Sequence, residues 1–100
     1  MGLFSKKVTD EERERIRRGC SQKATALKQC ENINGVAACT RLSNDYDYCQ
    51  ASRVHKCQAP AEAFEKCTRR VMAHTGSLKD APTCDKELNA MRKCLKASGA

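Results

Sequence analysis

Tryptophan is absent from this chain, and only four aromatic side chains occur in its 100 residues: Phe4, Tyr46, Tyr48 and Phe64. So few large rings exclude a bulky apolar core and leave little on which nucleotide bases could stack, so no nucleic-acid partner is expected. Prolines number two and glycines five, which leaves long stretches free of helix breakers. No apolar run approaches the ~20 residues that cross a bilayer. Residues 1–18 also lack the apolar run of a secretory signal, and Asp10, Glu11, Glu12 and Glu14 are foreign to a mitochondrial presequence. The opening Met-Gly does not complete a myristoylation motif, because Lys6 stands where Ser or Thr is required.

Cysteine is what the chain has in excess. Eight cysteines form four pairs, and each pair is spaced C-x9-C: Cys20 and Cys30, Cys39 and Cys49, Cys57 and Cys67, Cys84 and Cys94. Ten residues of α-helix advance about 15 Å and rotate about 1000°, which leaves the second Cβ roughly 80° from the first. One broad helical face can therefore carry both thiols, and an antiparallel partner with the same spacing meets them at matching heights. The expected fold is all-α: two consecutive disulfide-stapled antiparallel helical hairpins. A hairpin of this size buries too little apolar surface to stand alone, and each bridge contributes roughly 3 kcal/mol.

Thr9 and Glu12 form a capping box, and Ile16, Cys20, Ala24, Leu27 and Cys30 then make one apolar stripe that ends at Asn34-Gly35. A second stripe runs through Val36, Cys39, Leu42, Tyr46, Cys49, Val54 and Cys57. With no breaker before Pro60, this helix is expected to continue to about Lys56. Pro60 suits the first turn of a third helix, whose stripe is Phe64, Cys67 and Val71. Residues 75–82 form the longest connection, and Thr83 is the expected cap of a fourth helix striped by Cys84, Leu88, Met91, Cys94 and Leu95. The expected organisation is a flexible or partner-bound tail at 1–8, a first hairpin at 9–56, a second at 57–96 and a short tail at 97–100. Leu27, Tyr46, Phe64 and Met91 each stand three residues before the second cysteine of a pair, as in an internal duplication. They are expected to fill the hairpin interiors.

Sequential hairpins would pair Cys20 with Cys49, Cys30 with Cys39, Cys57 with Cys94 and Cys67 with Cys84. A competing register closes helices two and three through Cys49–Cys57 and Cys39–Cys67. The segment between Cys49 and Cys57, QASRVHK, has no Gly, Pro or Asn to turn the chain, which favours the sequential set.

Candidate chemistry is sparse. Thiol-exchange catalysis wants a C-x-x-C or C-x-C pair, and neither occurs. Cysteines about 15 Å apart on one helix cannot share a zinc ion. His55 and His74 have no carboxylate or nucleophile beside them in sequence, so neither catalysis nor a cofactor or metal is expected. The formal charge of +7 favours acidic partners or anionic lipid surfaces. Candidate interface residues are Leu3, Phe4, Lys6 and Lys7 in the tail, Arg13 and Arg17 on helix one, and Tyr48. Tyr48 lies off the cysteine stripe and is expected to be more exposed than Tyr46. Part of the arginine run is expected to be spent on Glu11–Arg15 and Glu14–Arg18 pairs.

Across residues 20–94 the pattern resembles the twin C-x9-C, or CHCH, family of the mitochondrial intermembrane space. Two twin motifs in one chain resemble the quadruple-motif branch found among accessory subunits of respiratory complex I. The resemblance implies α-hairpins, oxidation by an intermembrane-space disulfide-relay oxidoreductase during import, and a structural role beside other subunits on the intermembrane-space face of the inner membrane. A soluble intermembrane-space assembly factor, or an accessory subunit of cytochrome oxidase or the mitoribosome, is the alternative.

Overall fold

The structure is a computed structural model that describes residues 8–77 and 83–100. Four α-helices follow one another, α1 (Asp10–Asn34), α2 (Thr40–Ala51), α3 (Gln58–Ala73) and α4 (Asp85–Ser98), and no strand occurs among the described residues. The expected all-helical class holds.

At the start of α1 both arms of the capping box are made. Thr9 Oγ1 accepts from the Glu12 amide at 3.1 Å, and Glu12 Oε1 accepts from the Thr9 amide at 2.9 Å. The helix then runs for 25 residues, about 37 Å, until Gly35 turns to φ 85° and donates its amide to the Glu31 carbonyl. A short 3-10 turn, Val36–Cys39, leads into α2.

Helix α2 ends at Ala51, five residues before the expected limit at Lys56. No breaker residue stops it; side chains and burial do. Ser52 Oγ and Arg53 Nη1 both donate to the Cys49 carbonyl, at 2.9 and 3.0 Å. Val54 turns extended and buries to 2% exposure, and a 3-10 turn, His55–Cys57, carries the chain into α3. Pro60 falls in the first turn of α3, where its missing amide costs no hydrogen bond. Cys84 rather than the expected Thr83 takes the N-cap position of α4 and makes no side-chain cap bond. The connection expected over 75–82 lies outside the described residues from 78 onward.

Helix α4 closes with a Schellman arrangement: Gly99 at φ 72° donates to Lys96 O and Ala100 to Leu95 O. Residues 97–100, expected to be a tail, are thus the end of a helix and its cap. Val8, assigned on sequence to the other tail, is 7% exposed and donates its amide to the carbonyl of Ser98 at 2.9 Å.

The four disulfides are Cys20–Cys49, Cys30–Cys39, Cys57–Cys94 and Cys67–Cys84, the sequential set, with Cα separations of 5.9, 6.0, 5.8 and 5.8 Å. Each hairpin has an inner rung near its turn and an outer rung near its open end. The hairpins also share a core. Val8, Ala51, Val54, Cys57, Ala61, Phe64, Met91 and Leu95 form one buried cluster, with Ile16, Tyr48 and Leu88 packed on it. Of the four side chains expected inside the hairpins, Phe64 and Met91 are buried, while Leu27 and Tyr46 are half-buried. The difference follows from that core. The second hairpin's interior is continuous with it, whereas the first hairpin's outer length has only its own partner helix to cover it.

Candidate interaction surfaces

Helix α2 is the common wall of the two hairpins, and polar side chains fix it there. From α4, Arg92 donates Nε to Asp47 Oδ2 at 2.6 Å and Nη2 to Asn44 Oδ1 at 2.8 Å, with Ser43 Oγ at 3.4 Å. From α3, Glu65 accepts the Tyr48 hydroxyl hydrogen bond and also pairs with Arg69 at 2.6 Å. The Tyr48 and Phe64 rings lie 6.4 Å apart and tilted by 40°. The Glu65 carboxylate, aided by burial, pushes the Tyr48 phenol above its ordinary pKa. Tyr48 was expected to be the more exposed tyrosine; it is half-buried like Tyr46, because the face of α2 opposite the cysteines meets the second hairpin.

Beside this seam two adjoining cavities, about 220 and 330 Å³, share Asn44, Phe64, Thr68 and Met72 as lining. Cys84 and Leu88 complete the second, so the closed end of hairpin two lies along the early part of α2. The molecule measures 50 × 31 × 18 Å. The large apolar side chains exposed among the described residues lie near the inner rungs of the two hairpins: Ile33 (80%) and Val36 (72%) between Cys30 and Cys39, and Val71 (38%) and Met72 (79%) past Cys67 at the end of α3. At the open ends of the hairpins the Val8 amide donates to Ser98 O, and the Thr9 and His55 amides donate to the Glu12 carboxylate. Glu12 is central to that closure. Its second oxygen accepts the His55 amide at 2.6 Å, and the Thr9 and His55 amides hold its carboxyl below the usual range.

The arginine run is split by its partners. Glu14 accepts from Arg17 at 2.5 Å and from Arg18 at 3.0 Å, and Arg17 chiefly keeps the Glu14 carboxyl depressed. The pair expected between Glu11 and Arg15 is not formed. Arg13 and Arg17 lie on an exposed face with Ile16 between them, and the three line a shallow cavity of about 220 Å³ with Gln50 and Ala100. Leu3, Phe4, Lys6 and Lys7 lie outside the described residues. The structure thus joins Arg13 to Arg17 and leaves Tyr48 on a different, internal surface. His74 hydrogen-bonds the Ser77 carbonyl through Nε2 at 2.9 Å, and His55 stands exposed at the sealed end.

Three functional-looking residues escape sequence reasoning. The guanidinium of Arg53 lies against α1 in the space beside Gly19, where a Cβ would collide with it, and its Nη1 is 3.2 Å from Cys49 Sγ. Arg92 and Met72 are the others. Arg92 sits on α4 between the buried Met91 and an exposed Lys93, and its partners come from 45 to 49 residues away, so no local signal marks it.

Among the described residues no group of three or more His, Cys, Asp or Glu side chains converges as a metal site, and no helix is long and apolar enough to cross a membrane. Comparison with known proteins returned no matching family model, no matching curated protein and no matching solved structure. Four disulfides cross-linking helices at C-x9-C spacing fit a protein of the CHCH-like, twin-cysteine-motif kind.

Proposed function

We propose that this chain is a structural accessory subunit of a mitochondrial respiratory complex, complex I first, lying peripherally on the intermembrane-space face of the inner membrane. It would then resemble the quadruple C-x9-C subunit 8 of the complex I alpha subcomplex. The observation that carries the reading is the four-rung ladder across two hairpins. It fits the twin-motif family resemblance and suits an oxidising compartment. A braced plate of this kind can hold neighbouring subunits at fixed spacing without doing chemistry. Apolar side chains left open on both hairpins support contact with other subunits, because Ile33, Val36 and Met72 are each more than two-thirds exposed. Arg13 and Arg17 suit acidic subunits or anionic phospholipid headgroups. Oxidation by the disulfide-relay oxidoreductase would then trap the folded chain after import, and the protein has no enzymatic role.

The test is fractionation of detergent-solubilised mitochondria carrying the tagged full chain. Co-migration with a complex of respiratory size, with stoichiometric neighbours on pull-down, is the expected result. A peak near 11.1 kDa would assign the chain instead to a soluble assembly factor.

A further inference from the structure

The four rungs are not equally open to attack. In Cys20–Cys49 both residues are buried, at 1% and 4% exposure, and Arg53 lies against the second. Cys57 belongs to the shared apolar cluster, and Cys94 and Cys84 pack on it, so opening either rung of the second hairpin disturbs that core. Cys84 and Cys94 are half-buried as Cys30 is, but among the four rungs Cys30–Cys39 alone joins a half-buried cysteine to freedom from that cluster. Neither residue touches the cluster, Cys39 is 2% exposed, and Cys30 is half-buried on the last turns of α1 beside the exposed Ile33 and Asn34.

Thiol–disulfide exchange requires a thiolate to reach one particular sulfur, and the other sulfur departs as the leaving group. At this rung the accessible residue is Cys30. The departing sulfur belongs to Cys39, the N-cap residue of α2, where the helix dipole favours a thiolate as it does at Cys57 and Cys84. The rung also closes the shortest span of the four, a separation of 9 residues against 17, 29 and 37, so its loss frees the least chain entropy.

We propose that Cys30–Cys39 is a thiol-exchange site at the turn of the first hairpin, taking a small thiolate of the glutathione class. The thiolate sulfur bonds to Cys30 Sγ as the Cys30–Cys39 bond breaks. The electron pair of the broken bond leaves on Cys39, which takes a proton from solvent. The products are a mixed disulfide on Cys30 and a thiol on Cys39, with no net change in oxidation state. A second thiolate attacking the small molecule's sulfur completes a two-electron reduction and releases its symmetrical disulfide. Opening this rung loosens the end that bears Ile33 and Val36, while Cys20–Cys49 still holds α1 to α2. The site is a property of the isolated chain and stands apart from the question of a host complex.

The experiment uses the oxidised full-length chain with graded reduced glutathione in non-denaturing buffer. Acid quenching, N-ethylmaleimide blocking and peptide mapping follow. Glutathione is expected first on Cys30 and maleimide on Cys39, with about a tenfold lead over any other cysteine. Helicity should persist, and amide exchange should rise only around the Gly35 turn. A first adduct on another cysteine, simultaneous opening of all four rungs, or no adduct before the chain unfolds would each overturn the assignment.

Discussion

Glu12 and His55 stand 43 residues apart, and one hydrogen bond joins the start of the first hairpin to the start of the second: the His55 amide donates to Glu12 Oε2 at 2.6 Å. The other oxygen of the same carboxylate closes the capping box with Thr9. One side chain thus satisfies backbone donors at two helix starts, where such donors have no partner within the helix.

Replacing it with glutamine should cost about 1 kcal/mol, the usual scale for a lost cap. A pH dependence accompanies this. Because the Thr9 and His55 amides hold the folded-state pKa below the ordinary carboxylate value, the carboxylate's contribution is complete above that ordinary value and is lost as pH falls through the folded-state pKa. Urea midpoints of wild type and E12Q should therefore be well separated at pH 7 and converge in acid. A constant gap across that range would show that Glu12 acts by shape alone.

The Arg92 clamp gives a second prediction. Arg92 and Asp47 are partly exposed, so their pairing should be worth on the order of 1 kcal/mol rather than more. A double-mutant cycle of R92A and D47A, measured by urea unfolding, should show coupling of that size. Strict additivity would remove the clamp from the account of how the hairpins hold together.

The third concerns two side chains in equivalent places of the repeat. Met91 is 0% exposed at the centre of the shared cluster, whereas Leu27 is only half-buried along α1. M91A should cost about 2–5 kcal/mol and L27A roughly half as much or less. Equal losses would mean that each hairpin has its own interior and the shared core is unimportant.

Gly19 offers a prediction whose sign depends on background. Alanine in the middle of a helix is favoured over glycine by about 1 kcal/mol. Its Cβ, however, would displace the Arg53 guanidinium from its place beside α1 and from its bond to the Cys49 carbonyl. The two effects should nearly cancel in G19A, and the same substitution should stabilise an R53A background by about 1 kcal/mol. Melting curves of the four proteins decide it, and no difference between backgrounds would leave Gly19 unexplained by Arg53.

What could be read from the sequence is what local chemistry decides. Thr9 and Glu12, the stripe from Ile16 to Cys30 and the Asn34-Gly35 turn place α1 to the residue, because caps, periodicity and positive φ are properties of short stretches. The sequential pairing was likewise favoured. The break after Ala51 was not legible. It is made by burial of Val54, by Ser52 and Arg53 bonding back to Cys49, and by Glu12 from 43 residues upstream, in a segment with no turn residue. Tyr48 was misplaced for the same reason: which face of α2 a second hairpin would cover depends on tertiary packing. That packing also draws Val8 and Ser98, placed by sequence at the tails' edges, into the closed end of the core.

The central claim is that sulfur cross-links, more than apolar contact, keep these helices paired. Complete reduction with a water-soluble phosphine at neutral pH, followed by thermal unfolding monitored by circular dichroism, tests it most directly. Removing four bridges should abolish the cooperative transition and most of the helical signal at 37 °C, as the loss of a native disulfide often does in small domains. If the reduced chain keeps its helicity and melts where the oxidised one does, the shared cluster alone holds the fold and the claim is wrong.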